Sequence, residues 1–124
     1  MMKSILLVED DPFLIDIYNQ KFKNGGFNIR VAENATKAFQ LLEEEVPNII
    51  LLDIVLPQMD GWAILKKIRL NKAWDKAQII IFSNLSQKEE VEKGLSLGAN
   101  RYLIKSQHTP LEVVKEVEKM LDSS

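Results

Sequence analysis

The sequence predicts a doubly wound α/β domain, a five-stranded parallel sheet with helices on both faces. Ile49–Leu52 is an unbroken apolar run, too short for an ordinary helix and closed by turn residues. That is the pattern of a strand buried on both sides. Ser4–Val8 is a second run of the same kind. Segments with apolar residues at helical spacing separate these runs from three further short stretches, so strands and helices alternate five times. Such alternation implies right-handed crossovers and parallel pairing.

The first strand gives way to Glu9-Asp10-Asp11-Pro12, where Asp11 reads as a helix N-cap and Pro12 as the first helical position. Leu14, Ile17, Tyr18 and Phe22 then repeat at helical spacing until Gly25-Gly26 stops the helix. Residues 27–32 read as a short second strand. Asn34 caps a helix with Ala35, Ala38, Phe39 and Leu42 on one face, ending before Pro47. After the central strand come a loop at Pro57 and a helix over about residues 60–70, with Ile64, Leu65 and Ile68 inward. Residues 73–77 read as a loop and 78–82 as a fourth strand.

Ser86 and Glu89 have capping-box spacing and open a helix carrying Val91 and Leu95, which ends at Gly98. Arg101–Ile104 is the fifth strand. Thr109, Pro110 and Glu112 mark a second capping box, and the last helix turns Val113, Val114, Val117, Met120 and Leu121 inward. Residues 122–124 are expected to fray. Pattern alone does not give strand order. The order 2-1-3-4-5 is the common one for a flavodoxin-like domain of this size, with its switch point between the first and third strands.

Composition narrows the function classes. At 124 residues the chain is expected to be one domain, 1–124, long enough for a proper core and with no output domain after the fifth helix. A net charge of -2, with acids and bases interspersed, gives no electrostatic case for nucleic acid. The absence of cysteine excludes disulfides and thiolate metal sites. No apolar stretch approaches the roughly 20 residues of a membrane span. The start flows straight from one lysine into a short strand and acids, unlike a signal peptide. A soluble cytoplasmic domain without membrane contact is expected.

Function is expected where the strands end. In an open α/β sheet, ligands bind at the carboxyl edge, and on the order 2-1-3-4-5 that edge collects Glu9, Asp10, Asp53, Ser83 and Lys105. Each has a simpler reading taken alone: Ser83-Asn84 as a turn, Lys105 as a solvated surface lysine, Asp11 as nothing beyond its cap. Glu9, Asp10 and Asp53 together do not, because three neighbouring carboxylates repel one another unless a cation sits among them. Oxygen-only ligands suit a hard cation, and an open, partly hydrated site suits Mg²⁺ better than Ca²⁺. A carboxylate can act as a nucleophile toward phosphorus. Phosphoryl transfer needs little beyond positioning and charge neutralisation, for which Mg²⁺, the Lys105 ammonium and the Ser83 hydroxyl would serve. There is no Gly-rich phosphate loop, so the phosphoryl group is expected to come from another molecule.

Over essentially its whole length the chain resembles a response-regulator receiver domain of two-component signalling. The resemblance rests on four segments in order: residues 5–12 (ILLVEDDP), residues 50–57 (ILLDIVLP) with Met59-Asp60-Gly61, residues 81–83 (IFS), and residues 98–105 (GANRYLIK). It implies that Asp53 accepts a phosphoryl group from a histidine kinase or phosphotransfer protein. Asp10 would bind Mg²⁺ directly, Glu9 through water, and the backbone carbonyl of Val55 would complete the protein ligands with Asp53. Ser83 takes the place of the switch hydroxyl, Lys105 that of the phosphate-pairing lysine, and Tyr102 that of the aromatic switch. Phosphorylation would then remodel the surface of the fourth helix, fifth strand and fifth helix for an unidentified downstream protein. The chain would act as a monomer or as a phosphorylation-dependent dimer, and not as an enzyme beyond its own phosphoryl uptake and loss.

Three departures from the family pattern stand out. Ser106 follows the lysine where the family usually has proline in a cis peptide, so the bend there is expected to be trans or reshaped. Asn84, larger than the usual Ala or Gly, is expected to crowd or hydrogen-bond the phosphate. Val55 and Leu85 occupy the positions that tune dephosphorylation, and neither can orient a water, so slow decay is expected. Trp62 and Trp74 read as partly buried residues, and His108, before a helix cap, is given no role. Rival readings are a phosphorylation-independent adaptor, a Mg²⁺-dependent phosphohydrolase and a flavodoxin-type cofactor module. The phosphohydrolase lacks its usual second Asp, since Val55 stands there; the cofactor module lacks a Ser/Thr-rich phosphate loop.

Overall fold

The computed structural model describes residues 2–58 and 60–122. Met59 of the quoted motif and the terminal Ser123 and Ser124 lie outside the described residues. The elements run β1 (Ser4–Val8), α1 (Pro12–Asn24), β2 (Asn28–Ala32), α2 (Ala35–Glu44), β3 (Ile49–Leu52), α3 (Gly61–Leu70), β4 (Gln78–Ser83), α4 (Lys88–Ser96), β5 (Arg101–Ile104) and α5 (Pro110–Asp122). Asp122 closes α5 rather than fraying from it. The sheet is parallel throughout with the expected order β2-β1-β3-β4-β5.

Although the strand runs are continuously apolar, their side chains still alternate between faces. Ile5, Leu7, Ile49, Leu51, Ile80 and Phe82 pack with Tyr18 and Phe22 of α1 and Val113 and Val117 of α5. Leu6, Val8, Ile50, Leu52, Ile79 and Ile81 pack on the other face with Leu42 of α2 and Ile64, Leu65 and Ile68 of α3. The chain leaves β1 for one face and β3 for the other. That divergence opens the edge above β1 and β3.

Register then aligns the strand tips. Val8 pairs with Leu52, Leu52 with Ile81, and Ser83 with Ile104. The Asp53 amide donates to the Val8 carbonyl at 3.0 Å, and the Glu9 amide to the Ala32 carbonyl at 3.0 Å. Side chains just past each strand therefore emerge at one level.

The expected caps of α1, α2 and α5 are present. Asp11 accepts from the Phe13 amide, Asn34 from the Lys37 amide, and Thr109 and Glu112 cap each other reciprocally. The start of α4 differs. Gln87, not Ser86, is its N-cap, and the Glu90 carboxylate accepts from the Gln87 amide at 3.0 Å. The two candidate pairs have equal spacing; further along α4, Gly94 lies against the sheet, where an added Cβ would lie 2.4 Å from the Ile81 Cδ1. Leu95, the next residue, faces outward, 46% exposed. A short 3₁₀ turn, Lys72–Trp74, overlaps the start of the expected 73–77 loop and inserts Trp74 into the core, stacked on Phe39 with ring centroids 6.0 Å apart. Trp74 is thus buried, more deeply than expected.

Two glycines separate close approach to backbone from close approach to a side chain. A Cβ on Gly61 would lie 2.4 Å from Ile54 Cα and 2.5 Å from the Asp53 carbonyl oxygen, atoms that move only with the loop carrying Asp53. A Cβ on Gly94 meets the end of a flexible side chain. Gly61→Ala is expected to cost about 2–3 kcal/mol, and Gly94→Ala clearly less, in urea unfolding monitored by circular dichroism. Equal costs would contradict this distinction.

Candidate functional site

Asp53 stands at the end of the central strand, 6% exposed. Its Oδ1 accepts from the Val55 amide at 3.2 Å, and its Oδ2 accepts from the Lys105 ammonium at 3.0 Å. Glu9, at the tip of β1, is 1% exposed. Its Oε2 accepts from the amides of Asp10 (3.0 Å) and Asp11 (3.1 Å), which fixes the carboxylate in the turn. Its Oε1 has no conventional hydrogen bond and meets instead the Lys105 ammonium as a close charge contact. Lys105 thus bridges Glu9 and Asp53, with its nitrogen 5.6 Å from the centre of the Phe82 ring.

Asp10 is exposed beside this pair, and one oxygen from each of Glu9, Asp10 and Asp53 lies within 4.8 Å of the others. Three carboxylates against one ammonium leave a formal deficit of two positive charges, which a divalent cation matches. The donor set is all oxygen, as a hard cation requires. Burial pushes the Glu9 carboxyl above the ordinary carboxylate range, against the opposing pull of Lys105 and of the Asp11 amide. For Lys105, burial alone would lower the ammonium, but its contacts with Glu9 and Asp53 outweigh it and hold the group above its usual value.

Ser83 is wholly buried at the end of β4, and its Oγ accepts from the Leu85 amide at 3.3 Å. The half-buried Tyr102 of β5 donates its hydroxyl to the Leu85 carbonyl at 2.6 Å. Burial, more than nearby charge, raises the Tyr102 phenol above its usual range. Asp53, Val55, Ser83, Asn84, Leu85 and Lys105 line a cavity of about 290 Å³ beside the acidic cluster. A wider hollow of about 570 Å³ runs along α5 between His108 and Asp122, lined mainly by side chains of both charges, away from these groups. The cavity at Asp53 offers a buried carboxylate, a fixed ammonium and a hydroxyl around one small volume. Those groups suit an incoming phosphoryl group.

Every residue singled out in the sequence at the strand tips is therefore found at this edge. The bend after Lys105 is trans, as Ser106 in place of proline leads one to expect, and the described residues contain no cis peptide. Asn84 lines the cavity, yet its side-chain Oδ1 is engaged by the Ser106 amide at 3.0 Å. Sequence pattern gives Glu9 a metal-binding role alone, and the structure adds its contact with Lys105.

The family model for the response regulator receiver domain matches residues 5–118. An uncharacterized 14.6 kDa protein of Leptolyngbya boryana is 32% identical over 92% of this chain and 86% of its own length. The regulatory protein VanRc of Enterococcus gallinarum is 33% identical over 98% of this chain but only 51% of its own, so the present chain spans about half of that relative. The crystal structure of a CheY-like response regulator receiver domain protein from Methanospirillum hungatei superposes with a TM-score of 0.88 at 27% identity, covering 99% of this chain and 96% of the other. The fold and the acidic edge agree with a match that spans nearly the whole sequence, and the chain belongs to the response regulator receiver domain family.

Proposed function

We propose that this receiver is a phosphorylation-activated switch of two-component signalling in which Asp53 is the phosphoacceptor. The observation that carries the reading is Asp53 itself: a buried carboxylate with one oxygen on the Val55 amide and the other on Lys105, facing the Ser83 cavity. The donor would be a phosphohistidine of a histidine kinase or phosphotransfer protein in the cytoplasm. An Asp53 oxygen attacks phosphorus, the new O–P bond forms as the donor's P–N bond breaks, and the imidazole keeps the bonding pair. Asp10 and Asp53, with the Val55 carbonyl and Glu9 through water, would hold Mg²⁺, which supplies positive charge to the phosphoryl oxygens. Lys105 pairs with one of those oxygens, exchanging part of its contact with Asp53 for the phosphoryl group.

The switch would follow from the same hydrogen bonds. A phosphoryl oxygen is a strong, charged acceptor, so the Ser83 hydroxyl would turn to donate to it, drawing Oγ away from the Leu85 amide from which it now accepts. Leu85 is also what holds the Tyr102 hydroxyl. Displacing Leu85 would free the ring and change the surface of α4, β5 and α5, where a downstream protein or a second copy would dock.

Incubation with acetyl phosphate and Mg²⁺ is expected to add one phosphoryl group by intact mass, with Asp53→Asn and chelation each abolishing the gain. Failure of the wild-type chain under all conditions would favour a phosphorylation-independent adaptor. Val55 is 62% exposed and Leu85 is likewise apolar, so neither orients an attacking water. The phosphoryl group is expected to persist well beyond seconds in a decay assay with Mg²⁺, and a half-life of seconds would refute this. In the metal-free protein, unfolded Glu9 releases its proton near its ordinary 4.5 while folded Glu9 still holds it. The folded state then binds more protons, so stability falls as pH rises through the range just above 4.5. Glu9→Gln should flatten that slope in urea melts, and an unchanged slope would assign it elsewhere.

A further inference from the structure

The turn that carries Lys105 begins a short 3₁₀ segment, Lys105–Gln107, whose N-cap position is Ile104. The first amides of such a segment have no partner within it. A polar N-cap side chain normally accepts from the second or third of them, and isoleucine cannot. Ser106 is the second residue, and its amide is satisfied from another loop, by the Asn84 Oδ1 at 3.0 Å. Asn84 directly follows Ser83 at the end of β4, 22 residues away in sequence. A proline at 106 would carry no amide to satisfy. The two departures from the family pattern are therefore complementary: the non-proline residue leaves a donor, and the oversized residue supplies its acceptor.

We propose that Asn84 is a positioning residue for the phosphoryl site, acting through Ser106 to hold the Lys105 turn against the end of β4. This rests on the reading of Asp53 and Lys105 given above. Lys105 is anchored at its head by Glu9 and Asp53, and the Asn84–Ser106 bond anchors its backbone. It also couples Lys105 to Ser83, so that the two groups meeting the phosphoryl oxygens move as one unit. Misplacing such a group by an ångström is enough to slow a transfer whose barrier is lowered by positioning.

The test compares wild type, Asn84→Ala and Asn84→Asp by amide hydrogen exchange at Ser106 and by phosphorylation rate against acetyl phosphate concentration with Mg²⁺. Losing one hydrogen bond should speed Ser106 exchange about fivefold in Asn84→Ala. The maximal phosphorylation rate should fall about fivefold with it. Asn84→Asp keeps an acceptor oxygen, so exchange and maximal rate should stay near wild type, while the added charge at the cavity mouth raises the half-saturating donor concentration. Unchanged exchange in Asn84→Ala would show that the bond does not exist in solution. Faster exchange with an unchanged maximal rate, or an Asn84→Asp rate as low as that of alanine, would show that it positions nothing. A wild-type chain that takes no phosphoryl group would overturn the Asp53 reading and the positioning role with it, and the exchange data would then mark the bond as structural only.

Discussion

Two carboxylates held side by side at a buried sheet edge are unfavourable, and the site is arranged around offsetting that repulsion. Glu9 and Asp53 are brought together by the register of β1 against β3, which the backbone ladder fixes before either side chain is considered. Within a partly desolvated site their repulsion is far stronger than in water. The offset comes from β5, separated from β3 by β4, and the reach is that of a lysine stem. Lys105 balances the pair without filling the space between Ser83 and Asp53. The formal deficit that remains is what makes the edge suited to a divalent cation and then to a dianion.

The same edge explains where the molecule can change shape. Most of the helices bury several apolar side chains, whereas α4 buries only Gly94 among the described residues. Its inner face approaches the sheet without a large side chain, and Tyr102 and Trp62 lie around the gap. Fewer buried groups mean a lower cost for displacing it. The chain leaves β4 for α4 through Ser83-Asn84-Leu85: the Ser83 Oγ accepts from the Leu85 amide, the Asn84 Oδ1 from the Ser106 amide, and the Leu85 carbonyl from the Tyr102 hydroxyl. These bonds tie the segment that enters the least anchored helix to the cavity, to the Lys105 turn and to Tyr102.

Much of this was legible in the sequence because parallel strands buried on both faces are written as continuous apolar runs, and a polar residue ending such a run marks the sheet edge. Glu9, Asp10, Asp53, Ser83 and Lys105 could all be read this way. Strand order could not, since side-chain pattern carries the face of a strand and not its neighbour; it rested on the common order for this element count and on the resemblance. The α4 start was ambiguous for a local reason: Ser86 with Glu89 and Gln87 with Glu90 satisfy one spacing rule equally, and the second pair forms the box. Trp74 went inward because Phe39, 35 residues away, offers it a ring to stack on.

Asn84 and Ser106 show what a residue-by-residue comparison with a family pattern leaves out. Taken singly, each weakens the match, one by size and the other by removing a ring constraint. Taken as a pair they restore what proline at 106 provides by other means: a turn after the lysine in which no amide is left without a partner. The relevant unit is the hydrogen-bonded contact between two loops, and its two halves lie on opposite sides of α4 in the chain. A departure at either position alone would leave the Ser106 amide to solvent or the Asn84 oxygen idle beside the proposed phosphoryl site. Judging such departures requires asking which other residue answers each one, and here the Ser106 amide answers Asn84.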